Sequence, residues 1–327
     1  MYDIFDMQAR DYDDVSDETA FAAEKITSER VDQHFAVMDS EQLLARCSVW
    51  WRDTANVDGT STGAIGHYAA ADEKSGRAVL DYACRELKNR GCDLAVGPLD
   101  GNTWRRYRLI TERGDAMPFF LEPDNPDDWP DHFRNSGFRT LANYVSEINP
   151  QMAIRQPELG SLRQKFTKLG VSIEPVSETE SADDMSGIYD VICESFKDAF
   201  LYTKLDQESF QQMYAPLLQQ VDPRLLLLAR HAGRVVGFVF APPDYLQQAY
   251  HGRIDTIVIK TIAILPDKRY RGLGRLLIVD MLKNALDMRY TTAVSALMQT
   301  DNRSQAISSA CAGPMRRYEL FARSLQS

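Results

Sequence analysis

The apolar positions of the chain fall into short β-branched runs separated by stripes of helical period, and the pattern is clearest at 256–289. Ile257, Val258 and Ile259, followed by 261–265, form an almost unbroken β-branched run that predicts a buried strand. Pro266 ends it, because proline has no N–H for a sheet ladder. From Leu273 the period changes. Leu273, Leu276, Leu277, Met281, Leu282, Ala285 and Leu286 make a wide apolar stripe, with Asp280, Lys283, Asn284 and Asp287 on the other face, which predicts a long helix. A second strand is expected at 292–298, leading to Asp301 and Asn302.

Upstream, strands are expected at 43–53 and 64–70 around a loop rich in Asn, Asp, Gly, Thr and Ser. A helix at 75–90 turns Val79, Tyr82, Ala83 and Leu87 inward and closes at Gly91. A strand at 93–97, an unassigned stretch with Trp104, Arg105, Arg106 and Tyr107, a helix at 126–136 and a strand at 140–148 follow. The mixed pattern at 14–38 predicts one or two helices, and 149–169, with Pro150, Pro157 and Gly160, reads as a polar connection. Next come a strand at 171–176, helices near 182–196 and 207–218, and strands at 224–230 and 235–240 joined by a turn at Gly233.

The junction between the strand and helix of 256–289 carries the most chemistry: Arg269, Tyr270, Arg271, Gly272, Leu273, Gly274 and Arg275. The first turn of a helix presents unpaired N–H groups and a partial positive charge, which suits a phosphate. Two glycines let the backbone approach such a ligand closely, and the arginines add forked donors. The Gly-Lys-Ser/Thr ending of a Walker A loop and the βαβ setting of a dinucleotide fingerprint are both missing at this position.

The run Ile262-Ala263-Ile264-Leu265-Pro266 with Arg269-x-x-Gly272-x-Gly274 resembles the acetyl-CoA signature of the GNAT acetyltransferase superfamily, a loop between strand four and helix three. The resemblance covers most of 171–327 and implies an α/β (α+β) GNAT fold, a mixed, mostly antiparallel sheet flanked by helices. The first half repeats the element order in abbreviated form without the loop. At 70–76 it carries Asp72 and Glu73, placed to satisfy the helix dipole themselves. The implied organisation is tandem: a degenerate GNAT-like domain at 1–150, a connection at 151–170, and an acetyl-CoA-binding domain at 171–327. Cleft wall and bare scaffold are both open roles for the first half.

By this resemblance, the main chain of Ile262, Ala263 and Ile264 lies along the pantetheine arm of acetyl-CoA. Arg269, Tyr270, Arg271, Gly272, Leu273, Gly274 and Arg275 surround its pyrophosphate, and Asn302 sits beside the cofactor. The implied reaction is acyl transfer to an amine of a small molecule or peptide, with acetyl-CoA as cosubstrate. Many members place a tyrosine seven residues after that asparagine; here the position is Ser309. Tyr318 is the nearest tyrosine, a candidate general acid against the competing reading of a core tyrosine. Cys311 lacks a His or Lys neighbour and is a weaker candidate nucleophile. A Fem-type aminoacyl transferase and a non-catalytic acyl-CoA sensor are the alternatives.

Composition narrows the partners. A formal net charge of -10 over 327 residues and a pI near 5.1 argue against nucleic acid. The first residues lack the pattern of a signal peptide, and the longest aliphatic run, 225–229, is too short for a bilayer. Five cysteines with no C-x-x-C pairing point to a cytoplasmic protein without a metal site.

Overall fold

The structure, a computed structural model, describes residues 3–7, 30–152, 159–176, 181–218, 220–300 and 312–326. The first half contains β1 (Asp3–Met7), β2 (Gln33–Asp39), β3 (Gln42–Trp50), β4 (Thr62–Ala70), α1 (Glu73–Asn89), β5 (Leu94–Gly97), β6 (Leu109–Glu112), α2 (Trp129–Asn135) and β7 (Arg139–Pro150). The helix α3 (Leu159–Leu169) leads to β8 (Val171–Pro175), α4 (Ser181–Phe196), α5 (Gln207–Leu218), β9 (Leu226–His231) and β10 (Arg234–Phe240). Then come α6 (Gln247–His251), β11 (Thr256–Ile259), β12 (Thr261–Ile264), α7 (Leu273–Asp287), β13 (Thr292–Gln299) and β14 (Gly313–Ser324). Among the described residues no helix is long and apolar enough to cross a membrane.

Each half builds an antiparallel run of strands, then a helix, then a strand that returns parallel. In the first half α1 connects β4 to β5, which pair in parallel; in the second α7 connects the β11–β12 segment to β13, and β11 and β13 pair in parallel. The final strands are exchanged. The long β14 of the second half lies beside β5 of the first, and β7 of the first lies beside β13 of the second. The two exchanged strands pair with each other from Gly313↔Ile148 to Ala322↔Arg139. One sheet in the order β1-β2-β3-β4-β5-β14-β7-β13-β11 therefore runs through both halves, with β6 also on β14, while β12-β10-β9-β8 form a second sheet.

Local sequence explains the elements that frame this sheet. The side chain of Asp72 caps α1 by accepting the N–H of Ser75 at 2.7 Å, and Val79, Leu80, Ala83, Cys84 and Leu87 are buried on the inner face. One core lies under each half, and a third, containing Trp50, Val96, Tyr144, Leu201, Tyr318 and Leu320, lies along the seam.

The structure departs from the pattern-based expectations at four places. Residues 33–39 are strand, not helix: Phe35, Ala36 and Val37 are all buried, so the alternation that marks a strand is missing. Residues 14–29 of that predicted helical region lie outside the described residues. The polar connection contains α3, whose Leu159, Leu162, Phe166 and Leu169 recur at helical spacing and join the second core. The single strand expected at 257–265 is broken at Lys260 into β11 and β12, and Leu286 is exposed at the end of its stripe.

The seam is held by a buried charge network. Arg316 of β14 and Glu122 of the first half form an ion pair with both side chains fully buried. The Arg316 Nε donates to the carbonyl of Arg113 at 2.7 Å, Nη2 donates to the carbonyl of Ala116, and Nη1 donates to Glu122. The hydroxyl of Tyr318 donates to the other oxygen of Glu122 and shares a 3.0 Å hydrogen bond with Ser146 of β7. Removing one partner strands the other charge in the interior. Arg316→Met should therefore lower the unfolding free energy by about 3–5 kcal/mol in urea titrations, and adding Glu122→Gln should recover most of that loss. A double variant as unstable as the single one would show that packing, and not charge, holds the seam.

Candidate active site

The break at Lys260 creates the site. β11 follows β13 in parallel as far as Ile259↔Ser295, after which the chain turns away and β12 pairs with β10 alone. The edge of β12 that faces β13 has no strand partner among the described residues, so its main chain is free to bond an extended ligand. On the far side, β13 bulges between Ser295 and Met298, with Leu297 at φ +58°.

Beyond β12 a short 3-10 turn, Lys268–Tyr270, leads into α7. Gly272 occupies the N-cap with φ +95°, a conformation other residues resist, and provides no side-chain hydrogen bond to the helix. Leu273 and Gly274 are buried in the first turn and Arg275 is half-buried. Arg271 is exposed and its guanidinium has no partner among the described residues, while its carbonyl accepts from Lys165 of α3 at 2.7 Å. Arg269 is held by Asp267 through two contacts of 2.9 and 2.7 Å, which neutralises much of its charge. The Tyr270 side chain turns into the core, its hydroxyl 2.8 Å from Nδ1 of His231. The uncapped helix end, the left-handed glycine and the unpaired Arg271 fit a pyrophosphate.

The same place in the first half is closed. β4 pairs with β5 only over Thr62–Ala64, and the chain leaving β5 folds back across the gap. There the N–H of Leu99 donates to the carbonyl of Ile65 at 2.8 Å, and Asp100 accepts the N–H of His67 at 2.7 Å. A Cβ on Gly66 would meet Asp100 Oδ1 at 2.4 Å, so the plug fits only against glycine. Asp72 meanwhile occupies the helix end that an anion would need.

A cavity of about 640 Å³ fills the gap between β12 and β13 in the second half. Its walls include 259–262 and 295–299 around the break, Ile188, Ile192 and Phe196 of α4, and Phe210 and Tyr214 of α5. The first half contributes 103–108, 121–123 and Tyr144. Trp104 reaches across to the second half, donating its indole N–H to the carbonyl of Thr203 at 2.8 Å and meeting Tyr202 at a tilt and Phe210 edge-on. Arg108, only 5 % exposed, lies with its Cζ 3.6 Å from the ring centre of Tyr107 and 4.2 Å from that of Tyr144, and donates to the carbonyl of Leu297 at 3.0 Å. Burial and the nearby Arg108 lower the Lys260 ammonium to about 8.

Of the residues singled out from sequence, Ile262 lines this cavity; Ala263, Ile264 and 269–275 lie along the strand and loop that lead away from it. Ala263 is buried against the core, and the carbonyl of Ile264 accepts from Ser195 at 2.9 Å. Asn302, Ser309 and Cys311 lie outside the described residues. Tyr318 stands behind the cavity wall: it is fully buried in the seam, and its hydroxyl is taken up by Glu122 and Ser146. Ser146 in turn accepts the N–H of Leu297, so one side chain separates Tyr318 from the wall. Burial and the Glu122 carboxylate push the Tyr318 phenol well above its ordinary range. Sequence reasoning passed over Lys260 and 103–108. Lys260 is the one charged residue in 256–265, and 104–107 pairs aromatics with arginines, so both carried a signal. Among the described residues no group of His, Cys, Asp and Glu could hold a metal ion.

Residues 188–307 match the family model of the Acetyltransferase (GNAT) family. Among solved structures, a GCN5-related N-acetyltransferase from Sphaerobacter thermophilus is similar over 100% of this chain and 96% of its own, with 12% identity and a TM-score of 0.55. A tandem GNAT protein from the clavulanic acid biosynthesis pathway is similar over 100% and 99%, with 11% identity and a TM-score of 0.53. A GCN5-related glucosamine N-acetyltransferase region of a fungal multi-domain GH3 β-N-acetylglucosaminidase matches 98% of this chain at 13% identity and a TM-score of 0.57, and this chain spans 38% of that protein. No curated protein matches the sequence. Identities this low speak for the fold alone: residues 188–307 form a domain that matches the GNAT family model, and the chain shares its fold, first half included, with GNAT proteins.

Proposed function

We propose that the protein transfers an acetyl group from acetyl-CoA, held in the second half alone, to the amine of a small molecule seated in the cavity between the halves. The observation that carries this reading is the contrast between two equivalent positions. In the second half the strand edge is unpaired and the helix end uncapped; in the first, Leu99, Asp100 and Asp72 fill both. The cavity volume lies in the range of small-molecule sites, roughly 300–1,000 Å³, and suits a compact acceptor better than a polypeptide.

Acetyl-CoA supplies a thioester-activated acyl group. The main chain of Ile262, Ala263 and Ile264 pairs with the pantetheine arm as a strand would, while the N–H groups at Gly272–Gly274 and the Arg271 side chain meet the pyrophosphate. The acceptor amine then attacks the thioester carbon, and a main-chain N–H on the open edge of β12 receives the developing oxyanion. As the C–S bond breaks, the amine loses a proton and the thiolate gains one. The four described cysteines are free thiols, which suits a reducing cytoplasm.

We assign Tyr318 to the scaffold and not to the proton transfers, because its hydroxyl is already committed to Glu122 and Ser146. Tyr318→Phe is expected to melt at a lower temperature while turning over normally per folded molecule. Normal melting with a drop of about 10²-fold or more in turnover would restore it as the general acid.

Calorimetry should find one acetyl-CoA site per chain, weakened about 10–100-fold by Arg271→Glu, the effect of losing a charge-assisted contact to phosphate. Two equivalent sites would overturn the single-site reading. Tight binding with no free thiol released across a panel of small amines would favour the acyl-CoA sensor instead.

A further inference from the structure

The cavity wall inverts the charge of the molecule. The chain carries a net charge of -10, yet among the described residues the charged side chains on the wall are Arg105, Arg106, Arg108 and Lys260 against the single acid Glu122. That acid is already spent, since both its oxygens receive hydrogen bonds from Arg316 and Tyr318 and its side chain is fully buried. Arg108 uses Nε on the carbonyl of Tyr107 and Nη1 on that of Leu297, which leaves Nη2 without a hydrogen bond among the described residues. The Lys260 ammonium makes no hydrogen bond or ion pair with any described side chain, although its backbone N–H bonds the carbonyl of Phe240.

Two cations enclosed together without an anion are costly. Each loses hydration, and the Arg108 charge further disfavours protonation of Lys260. Proteins bury such charges where a partner of opposite sign completes them. The phosphates of acetyl-CoA are not that partner, because the loop at 269–275 that would bind them is absent from the cavity wall. A polycationic acceptor is disfavoured by the same field. Around the two cations, Tyr107, Tyr144, Phe200, Tyr202 and Tyr214 present aromatic surface.

We infer that the cavity is a carboxylate-recognising acceptor site, in which Arg108 and Lys260 hold the acid group of an amine whose remaining body packs on the aromatic wall. This rests on the acetyltransferase reading for the identity of the ligand, though not for its charge. The chemistry is that of an amino-acid-like acceptor. The surrounding cations also lower the pKa of its ammonium, which raises the fraction of neutral, nucleophilic amine.

The test separates the two readings by measuring binding first, without catalysis. With the full chain, 3-phenylpropionate should bind at least about tenfold more tightly than 3-phenylpropionamide, as a charge-assisted pair implies. That advantage should vanish in Lys260→Met and in Arg108→Gln, with melting curves showing which variants remain folded. Neither probe binding, both binding alike, or an acid preference kept in a folded Lys260→Met protein overturns the proposal. Turnover then locates the carboxylate. With acetyl-CoA as donor, phenylalanine should exceed phenethylamine at least about tenfold in kcat/KM. A preference for succinyl-CoA with phenethylamine would place the acid on the acyl chain and overturn the acceptor assignment. Acid binding that persists while no amine releases thiol would leave the carboxylate site standing and remove the transferase reading.

Discussion

The pairing of β7 with β14 is the constraint on which the rest of the structure depends. Each half ends in a strand that completes the other half's sheet, so β5 and β13, paired on one side with β4 and β11, gain their second neighbour only from the partner half. The Arg316–Glu122 ion pair and the Tyr318 hydroxyl lie on this seam, and so does the third core cluster. A buried ion pair is a poor source of net stability but a strict condition on geometry, because any slip of β14 along β7 leaves a charge uncompensated. Register here is fixed by charge as much as by apolar alternation.

From that register follows the difference between the halves. Both have a strand that leaves its neighbour partway, and the same divergence is plugged in one half and open in the other. The plug costs little sequence: a glycine at 66, an aspartate at 100 and an aspartate cap at 72. What the first half gives up as a ligand site it returns as wall. The residues just after the plug, 103–108, reach over β13 and bring Trp104 and Arg108 to the second half's cavity. The degenerate half is thus continuous with the site that it does not itself contain.

Much of this was legible in the chain. The basic glycine turn between a β-branched run and a wide apolar stripe pointed to strand, loop and helix, and the acidic stretch at 72–73 pointed to a closed counterpart. Three features were not legible for definite reasons. Strand exchange leaves no mark on local periodicity, since β14 would read the same beside either half. The strand at 33–39 is buried on both faces, which erases the alternation that distinguishes it from a helix. The role of Tyr318 depends on Glu122, which lies nearly two hundred positions away and meets it only through the fold. Lys260 was the instructive case: a lone charge in an apolar strand reads as noise until the strand breaks at that residue and turns the amine into a cavity.

The exchange of β14 also bears on how the chain is made. Of the strands described, β14 is the last to leave the ribosome; until it does, β5 keeps one edge open, and β7, whose strand neighbours β14 and β13 both come from the second half, has unpaired backbone groups. At synthesis rates of about 5–20 residues per second, these edges stay open on the order of ten seconds while the second half is translated. The nascent first half must therefore remain soluble as an incomplete sheet. The short β5, four residues long, and Arg139 and Pro150 at the two ends of β7 oppose recruitment of a strand of another chain at these waiting edges.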